Sequence, residues 1–335
     1  MNETRRIRSL GVEEPGRMYF SSYEEGPPEE GQARIDTLFT GLSAGTELTL
    51  VKGSNPFLSA HWNDRFGVFV PGEPSARYPV AFMGYMEVGR VIDSRTSALH
   101  EGDTVAMTYG HKTGHTADPG EEFVLPLPPD LDPVLGIYVA QMGPICANGL
   151  LHAAADLVGA DVRSLGDGVA GRNVLVVGAG VVGLLTALFA RHHGAAEVLV
   201  ADPAPFRRNA AEAMGFVALD EGEAWRHCKE RWSHGGADRG ADVVLQARAH
   251  SQSLHEALRA LRPQGTVIDL AFYQGGASAL RLGEEFHHNG LAIRCAQINR
   301  MPRPVAHAWD QRRLAQETLR LLAAEGDAIC AHMIT

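Results

Sequence analysis

Cysteine is scarce in this sequence: four residues in 335, Cys146, Cys228, Cys295 and Cys330, with no Cys-x-x-Cys pair among them. That scatter suits reduced thiols and excludes the usual clustered structural zinc sites. There is no basic run either. Lys and Arg number 30 against 40 Asp and Glu, leaving a formal net charge of −10 with the two signs interspersed. Nucleic acid and anionic membrane surfaces are therefore not the expected partners, and a small-molecule substrate is. No stretch reaches about 18 uninterrupted apolar residues, and Met1 to Phe20 lacks the apolar segment of a secretion signal. The expectation is a soluble, cytoplasmic protein with no membrane partner. No internal repeat is visible.

What remains is ordinary globular composition, 45% hydrophobic and 21% charged, in a chain long enough for roughly two domains. The texture changes near residue 170. Before it come short β-like runs broken by Gly and Pro, such as "ARIDTLFTGL", "YMEVGRVI", "GDTVAM" and "EEFVLPL". After it strands and helices alternate: "NVLVVG", then the helical "GVVGLLTALFARHHG", the strand "AEVLVAD", the helical "PFRRNAAEAMG", the strand "ADVVLQA", the helical "SQSLHEALRALRPQG" and the strand "TVIDLAF". Such alternation predicts a parallel sheet covered on both faces.

The first of these strand-to-helix turns carries the strongest signal. Gly178-Ala179-Gly180-Val181-Val182-Gly183 directly follows a strand and opens a helix. The first glycine allows the tight turn, the second lets backbone amides approach a pyrophosphate, and the third permits close helix packing at a positively polarised helix start. Asp202 lies 19 residues beyond Gly183 at the end of the second strand, where a carboxylate can accept hydrogen bonds from an adenosine ribose diol. A dinucleotide site is predicted, and the Asp202 charge, opposed to a 2′-phosphate, favours NAD(H) over NADP(H). Arg207 stands among the cofactor-facing candidates, although Arg207 and Arg208 equally suit a solvated helix face.

One short stretch before residue 170 is unusually rich in small and hydroxylic residues and reads as a loop: "TGLSAGTEL", Thr40 to Leu48. Taken with "YPVAFMGYMEVGRV", "HEGDTVAM" and the segment Ala241 to Gly276, in that order, it resembles the medium-chain dehydrogenase/reductase superfamily over nearly the whole chain. The resemblance implies an α/β protein: a GroES-like, β-rich substrate domain over 1–148, a Rossmann doubly wound parallel-sheet domain over 149–290, and a short return segment, 291–335, to the first domain. The family pattern usually continues beyond the point where this chain stops, so the substrate domain is expected to end short or to be completed differently. In the family the cofactor lies in the cleft between the domains. Ser43, Ala44 and Gly45 would face the nicotinamide, with Asn148 nearby, while Ala247 and the stretch Ala271, Phe272 and Tyr273 would border the cofactor's ends. A homodimer is the expected assembly.

The departures from the family pattern are as informative. Zinc-dependent members place a cysteine where this chain has Ala44, and a Gly-His-Glu where it reads Gly84-Tyr85-Met86. The third ligand position falls near Pro144 or Ile145, close to Cys146, and the four-cysteine lobe is missing. Catalytic zinc takes about three protein ligands of N, S or O type, which Ala, Tyr and Met cannot rebuild. A zinc-free member is therefore expected, with no metal ligands assigned; the subgroup it most resembles includes bacteriochlorophyllide dehydrogenases and zinc-free sugar or natural-product dehydrogenases. Hydride transfer without a Lewis acid needs protein donors at the substrate oxygen. The candidates are Tyr85 as proton donor, Thr46 as relay, and His111 and His115 of "GHKTGH", with Glu47 holding the site together. Tyr85 also suits the edge of a core and each histidine a surface loop. The expected activity is secondary alcohol–ketone interconversion on a polyol-like or natural-product substrate. Reduction of activated carbon–carbon double bonds and a non-catalytic nicotinamide-binding role are the alternatives.

Overall fold

The computed structural model describes residues 3–334. They divide after Gln141 into two compact units, each with its own sheets. The first opens with a hairpin, Arg5–Glu14 against Arg17–Glu25, and centres on a five-stranded antiparallel sheet. Its strands run in the order Gly114–Ala117, Ala33–Thr40, Glu87–Ser94, Thr104–Met107 and Leu125–Pro126. Ala33, Ile35, Val91, Val105, Met107 and Ala117 turn inwards and are joined by Leu99, Tyr109 and Val124 in one core cluster. The short β-like runs of the first half thus form the expected β-rich, GroES-like unit.

The second unit holds six parallel strands. From edge to edge they are Val217–Leu219, Glu197–Ala201, Asn173–Val177, Ala241–Gln246, Leu261–Asp269 and Ala292–Cys295. Numbered along the chain that order is 3-2-1-4-5-6, the doubly wound Rossmann arrangement. Successive crossovers first run towards one edge and then towards the other. Because such crossovers are right-handed, the two sets of helices cover opposite faces. Glu221–Arg231 and Ser251–Ala260 pack together on one side, their Ala224, Cys228, Leu254 and Leu258 closing over Leu175, Val177 and Val244. Met142–Val158, Val181–His192 and Gln311–His332 pack on one another to form the other layer.

Three expectations need correction. "LRPQG" does not end a helix: the helix stops at Ala260, and Leu261 already pairs with Ala241, so strand pairing overrides the helical periodicity, and Gln264 takes φ 66° where the strand is irregular. Residues 291–334, expected as a return segment, are part of the second unit. Ala292–Cys295 pairs with Thr266–Asp269 as the sixth strand, and Gln311–His332 lies on the helices of the second unit, where Arg191 meets Glu325 at 2.9 Å. Finally, Gly45-Thr46-Glu47 is not a loop but the first turns of a helix, Ala44–Lys52. Among the described residues no helix is long and apolar enough to cross a membrane.

Candidate active site

In the first unit the site is built where strand Ala33–Thr40 leads through three residues into helix Ala44–Lys52. The side chain of Glu47 turns back along its own helix, so that Oε1 accepts the Ser43 amide at 2.7 Å. Its other oxygen meets Nε2 of His111 at 2.6 Å. Glu47 is 2% exposed. The opposite ring nitrogen of His111, Nδ1, touches the hydroxyl of Thr40, which donates onward to Oε1 of Glu87 at 3.3 Å. Glu87 is wholly buried, with Oε1 4.0 Å from His111 Nδ1. An imidazolium satisfies this chain throughout: Nε2–H to Glu47, Nδ1–H to Thr40, and the Thr40 hydroxyl to Glu87. With Glu87 ionised, a neutral ring would leave one link without a proton.

The electrostatics agree with that assignment. Burial works to lower the pKa of His111, but its hydrogen bond to Glu47 and the charges of Glu47 and Glu87 outweigh burial and raise it. Burial pushes the Glu87 carboxyl up, against amide hydrogen bonds and the nearby His111. Gly84 admits this packing: at φ +95° it occupies the left-handed region, and a Cβ there would lie 2.7 Å from Glu87 Oε1 and 3.0 Å from the His111 amide nitrogen.

Beside the cluster, Tyr85 puts its phenol against the Ser43 hydroxyl and 3.4 Å from Thr46 Oγ1. Tyr85 and Thr46 are half-buried, and Ala44 and Gly45 are exposed on the same helical turn. Met86 is buried, its Cε 2.8 Å from where a Cβ on Gly41 would sit. Of the two loop histidines only His111 joins this group. His115 lies in strand Gly114–Ala117, where Nε2 meets Glu122 at 2.7 Å and the ring stacks on Tyr109 at 5.0 Å. Sequence reasoning missed Glu87 and gave Thr40 no role. The available signal was a lone carboxylate inside the apolar run "MEVGRV".

In the second unit the glycine turn follows strand Asn173–Val177. Gly178, at φ +104°, donates its amide to Ala201 O at 2.7 Å, and Gly180 caps helix Val181–His192 with open space around it. A Cβ on Gly183 would stand 1.7 Å from Gly178 O, so only glycine lets helix and turn meet here. Val182, one residue earlier, uses its carbonyl to accept from Cys146 Sγ and Thr186 Oγ1. Asp202 is buried and accepts the amides of Ala179 and Ala204 at 2.9 and 2.8 Å, which ties the glycine turn to the end of the second strand. The half-exposed Arg207 guanidinium stands 3.7 Å from it.

Ala247 donates its amide to Val177 O at 2.8 Å, fixing the position at which the strand order reverses. Alongside, the Ala271 amide reaches Asp269 Oδ1 at 3.0 Å, the Tyr273 hydroxyl lies 3.4 Å from Gln246 Nε2, and Phe272 is exposed. Burial pushes Asp269 up to about 6 and Tyr273 above its ordinary value. Asn148 is buried and donates to Gln297 O at 3.1 Å, so it anchors helix Met142–Val158 to the chain after the sixth strand. Two groups absent from the sequence reading adjoin the turn: Arg248, next to Gly178, and the buried Glu221, which shares the Ser253 hydroxyl with it.

A family model described as zinc-binding dehydrogenase matches residues 181–309. D-guloside 3-dehydrogenase of Escherichia coli (strain K12) is 26% identical over 326 residues, 93% of this chain and 87% of that protein. L-threonine 3-dehydrogenase of Pyrococcus furiosus is 34% identical over 110 residues, 33% of this chain and 31% of that protein. Among solved structures, 2R,3R-butanediol dehydrogenase from Bacillus subtilis superposes with a TM-score of 0.67 at 18% identity, over 96% of this chain and 90% of that one. A protein of Sinorhizobium meliloti 1021 solved with NADP bound gives 0.66 at 18% identity, over 94% and 89%. The 3-2-1-4-5-6 sheet behind the glycine turn, the matched family model and these relatives together support a place for the chain in the medium-chain dehydrogenase/reductase superfamily.

Proposed function

We propose that this oxidoreductase interconverts a secondary alcohol and a ketone on a polyol-like or glycoside-like substrate, with NAD(H) as cofactor and no catalytic zinc. The observation that carries the reading is the contact of Tyr85 with Ser43 and Thr46, three hydroxyls grouped where zinc-dependent relatives are expected to hold their metal. The donor set there does not suit zinc, because Ala44 offers no ligand atom, the Tyr85 phenol is engaged, and the Met86 thioether is buried in packing. The second unit does suit a dinucleotide: open space at Gly180, a helix start behind it, and Asp202 at the ribose end of the second strand.

Bound nicotinamide would supply the hydride acceptor or donor. In ketone reduction the Tyr85 phenol would give its proton to the oxygen that gains negative charge, the Ser43 and Thr46 hydroxyls would steady that oxygen, and a proton from solvent, relayed through one of those hydroxyls, would restore the phenol. Alcohol oxidation runs the same transfers backwards. Glu47, held by the Ser43 amide and His111, fixes the helix turn that carries both hydroxyls, so His111 acts through position rather than by touching the reacting oxygen. A preplaced donor of this kind is worth about 10² to 10³ in turnover. A screen of sugar alcohols, glycosides, ketones and enones against NAD(H) tests the reading, with Tyr85→Phe beside the parent. Ketone and alcohol turnover that drops by that factor in Tyr85→Phe, at unchanged NADH affinity, is expected. Turnover of enones alone would move the chain to the double-bond reductases, and tight NADH binding without turnover would make it a binding protein.

A further inference from the structure

Outside the groups already used, the second unit contains a buried imidazole with no hydrogen-bond partner for one of its nitrogens. His255 lies on the inner face of helix Ser251–Ala260, 5% exposed between the buried Leu254 and Leu258, and its Nδ1 has no partner among the described residues. A buried polar atom left unpaired is costly, and an ion bound beside it is one reason a native structure keeps one. The segment Leu282–Phe286 packs against this helix and brings two consecutive carboxylates, Glu284 and Glu285. One ring nitrogen of His255 and one oxygen from each carboxylate lie within 4.8 Å of one another. Glu285 Oε2 is also buried without a partner.

From this juxtaposition we infer that His255, Glu284 and Glu285 form a divalent-cation site within the second unit, apart from the hydroxyl group of the first. An imidazole nitrogen with two carboxylate oxygens is a donor set for Zn²⁺, Mn²⁺ or Co²⁺, and it leaves at least one coordination position to water. The nearest arginines approach without hydrogen-bond contact: Arg259 Nε is 3.6 Å from Glu285 Oε1, and Arg281 NH1 is 3.6 Å from Glu284 Oε1. Arg259 is moreover committed to Glu256 at 2.9 Å and to the face of Trp225. Each carboxylate therefore keeps only a long ion pair, and the two converge on an imidazole nitrogen. A bound ion would pin the 282–286 segment onto the helix.

The test uses the full chain, stripped with EDTA, dialysed, and titrated with Zn²⁺ by calorimetry, with Co²⁺ absorption as a second probe of the ligand set. About one equivalent should bind, and it should raise the thermal midpoint. Glu284→Gln and Glu285→Gln should each weaken binding at least about tenfold, as loss of even an outer-shell partner costs about 10–100-fold. His287→Ala/His288→Ala, which alters only an exposed histidine pair, should bind as the parent does. Glu284 is exposed, so its variant keeps the test open even where replacing His255 disturbs folding. No uptake by the stripped parent, or equal uptake by a Glu284→Gln/Glu285→Gln double variant, would overturn the assignment.

Discussion

Glu87→Gln should lower the pH at which His111 loses its second proton. The two groups stand 4.0 Å apart with Glu87 completely buried, and a full charge at that distance in a medium of effective dielectric about 20 is worth about 4 kcal/mol, or about three pH units. That is a ceiling. Burial pushes the Glu87 carboxyl up, so it carries its charge over only part of the range, and the expected fall is smaller than that ceiling. Glu47, 2.6 Å away on the other ring nitrogen, keeps His111 above a free imidazole in the variant. The sign for stability follows. Because the folded value of His111 is raised from 6.5, the stabilisation tied to its charge is complete below about pH 6.5 and fades as the pH rises through the raised value. The variant should lose that stabilisation earlier on the same climb. Ring-proton NMR titration of parent and Glu87→Gln reads the shift directly, with His111→Ala identifying the resonance. A His111 titration that stays in place, or moves upward, would show that the two groups are not coupled as described.

The two loop histidines should part company in melting experiments. His111→Ala leaves Glu47 and Glu87 buried without their cation, a loss of about 3–5 kcal/mol, whereas His115→Ala gives up a partly exposed pair with Glu122 worth about 0.2–1 kcal/mol and should leave turnover nearly unchanged. A large activity loss in His115→Ala would restore it to the chemistry. Fluorescence titration should show NADH binding more tightly than NADPH, with Asp202→Ala narrowing the gap; because Arg207 stands 3.7 Å from that carboxylate, equal affinities in the parent would indicate that the arginine rather than the acid sets the choice. EDTA treatment should leave turnover intact whether or not the second unit carries an ion, and activity that is lost on chelation and recovered with zinc would refute the hydroxyl-based reading.

The glycine turn and Asp202 were legible because their signal is local: spacing along one strand, one helix and the next strand. The parallel sheet covered on both faces followed from the same alternation, while the order of its strands emerged only in the structure. The division between His111 and His115 was not legible, since it depends on His115 pairing opposite Ile35, a register set by strands about 80 residues apart. Glu87 escaped for a related reason. A single carboxylate in an apolar run carries no spacing, and its importance arises only when Thr40 and His111 arrive from other elements. The helix at Ala44 was hidden by glycine and hydroxyl residues that favour turns, and tertiary contacts of Glu47 and Ser43 decide against that preference. The stretch after Ala260 shows the same override in reverse, with pairing to Ala241 overcoming a helical pattern.

That the sixth strand and final helix stay with the second unit bears on how the chain is made. Among the described residues no sheet draws strands from both sides of Gln141, so every sheet of the first unit can close before any of the second has been synthesised. Folding can then proceed in the order of translation, the antiparallel half completing its long-range pairings while the parallel half is still emerging. Neither nascent half has to wait with an unfinished sheet edge for a distant stretch of the other.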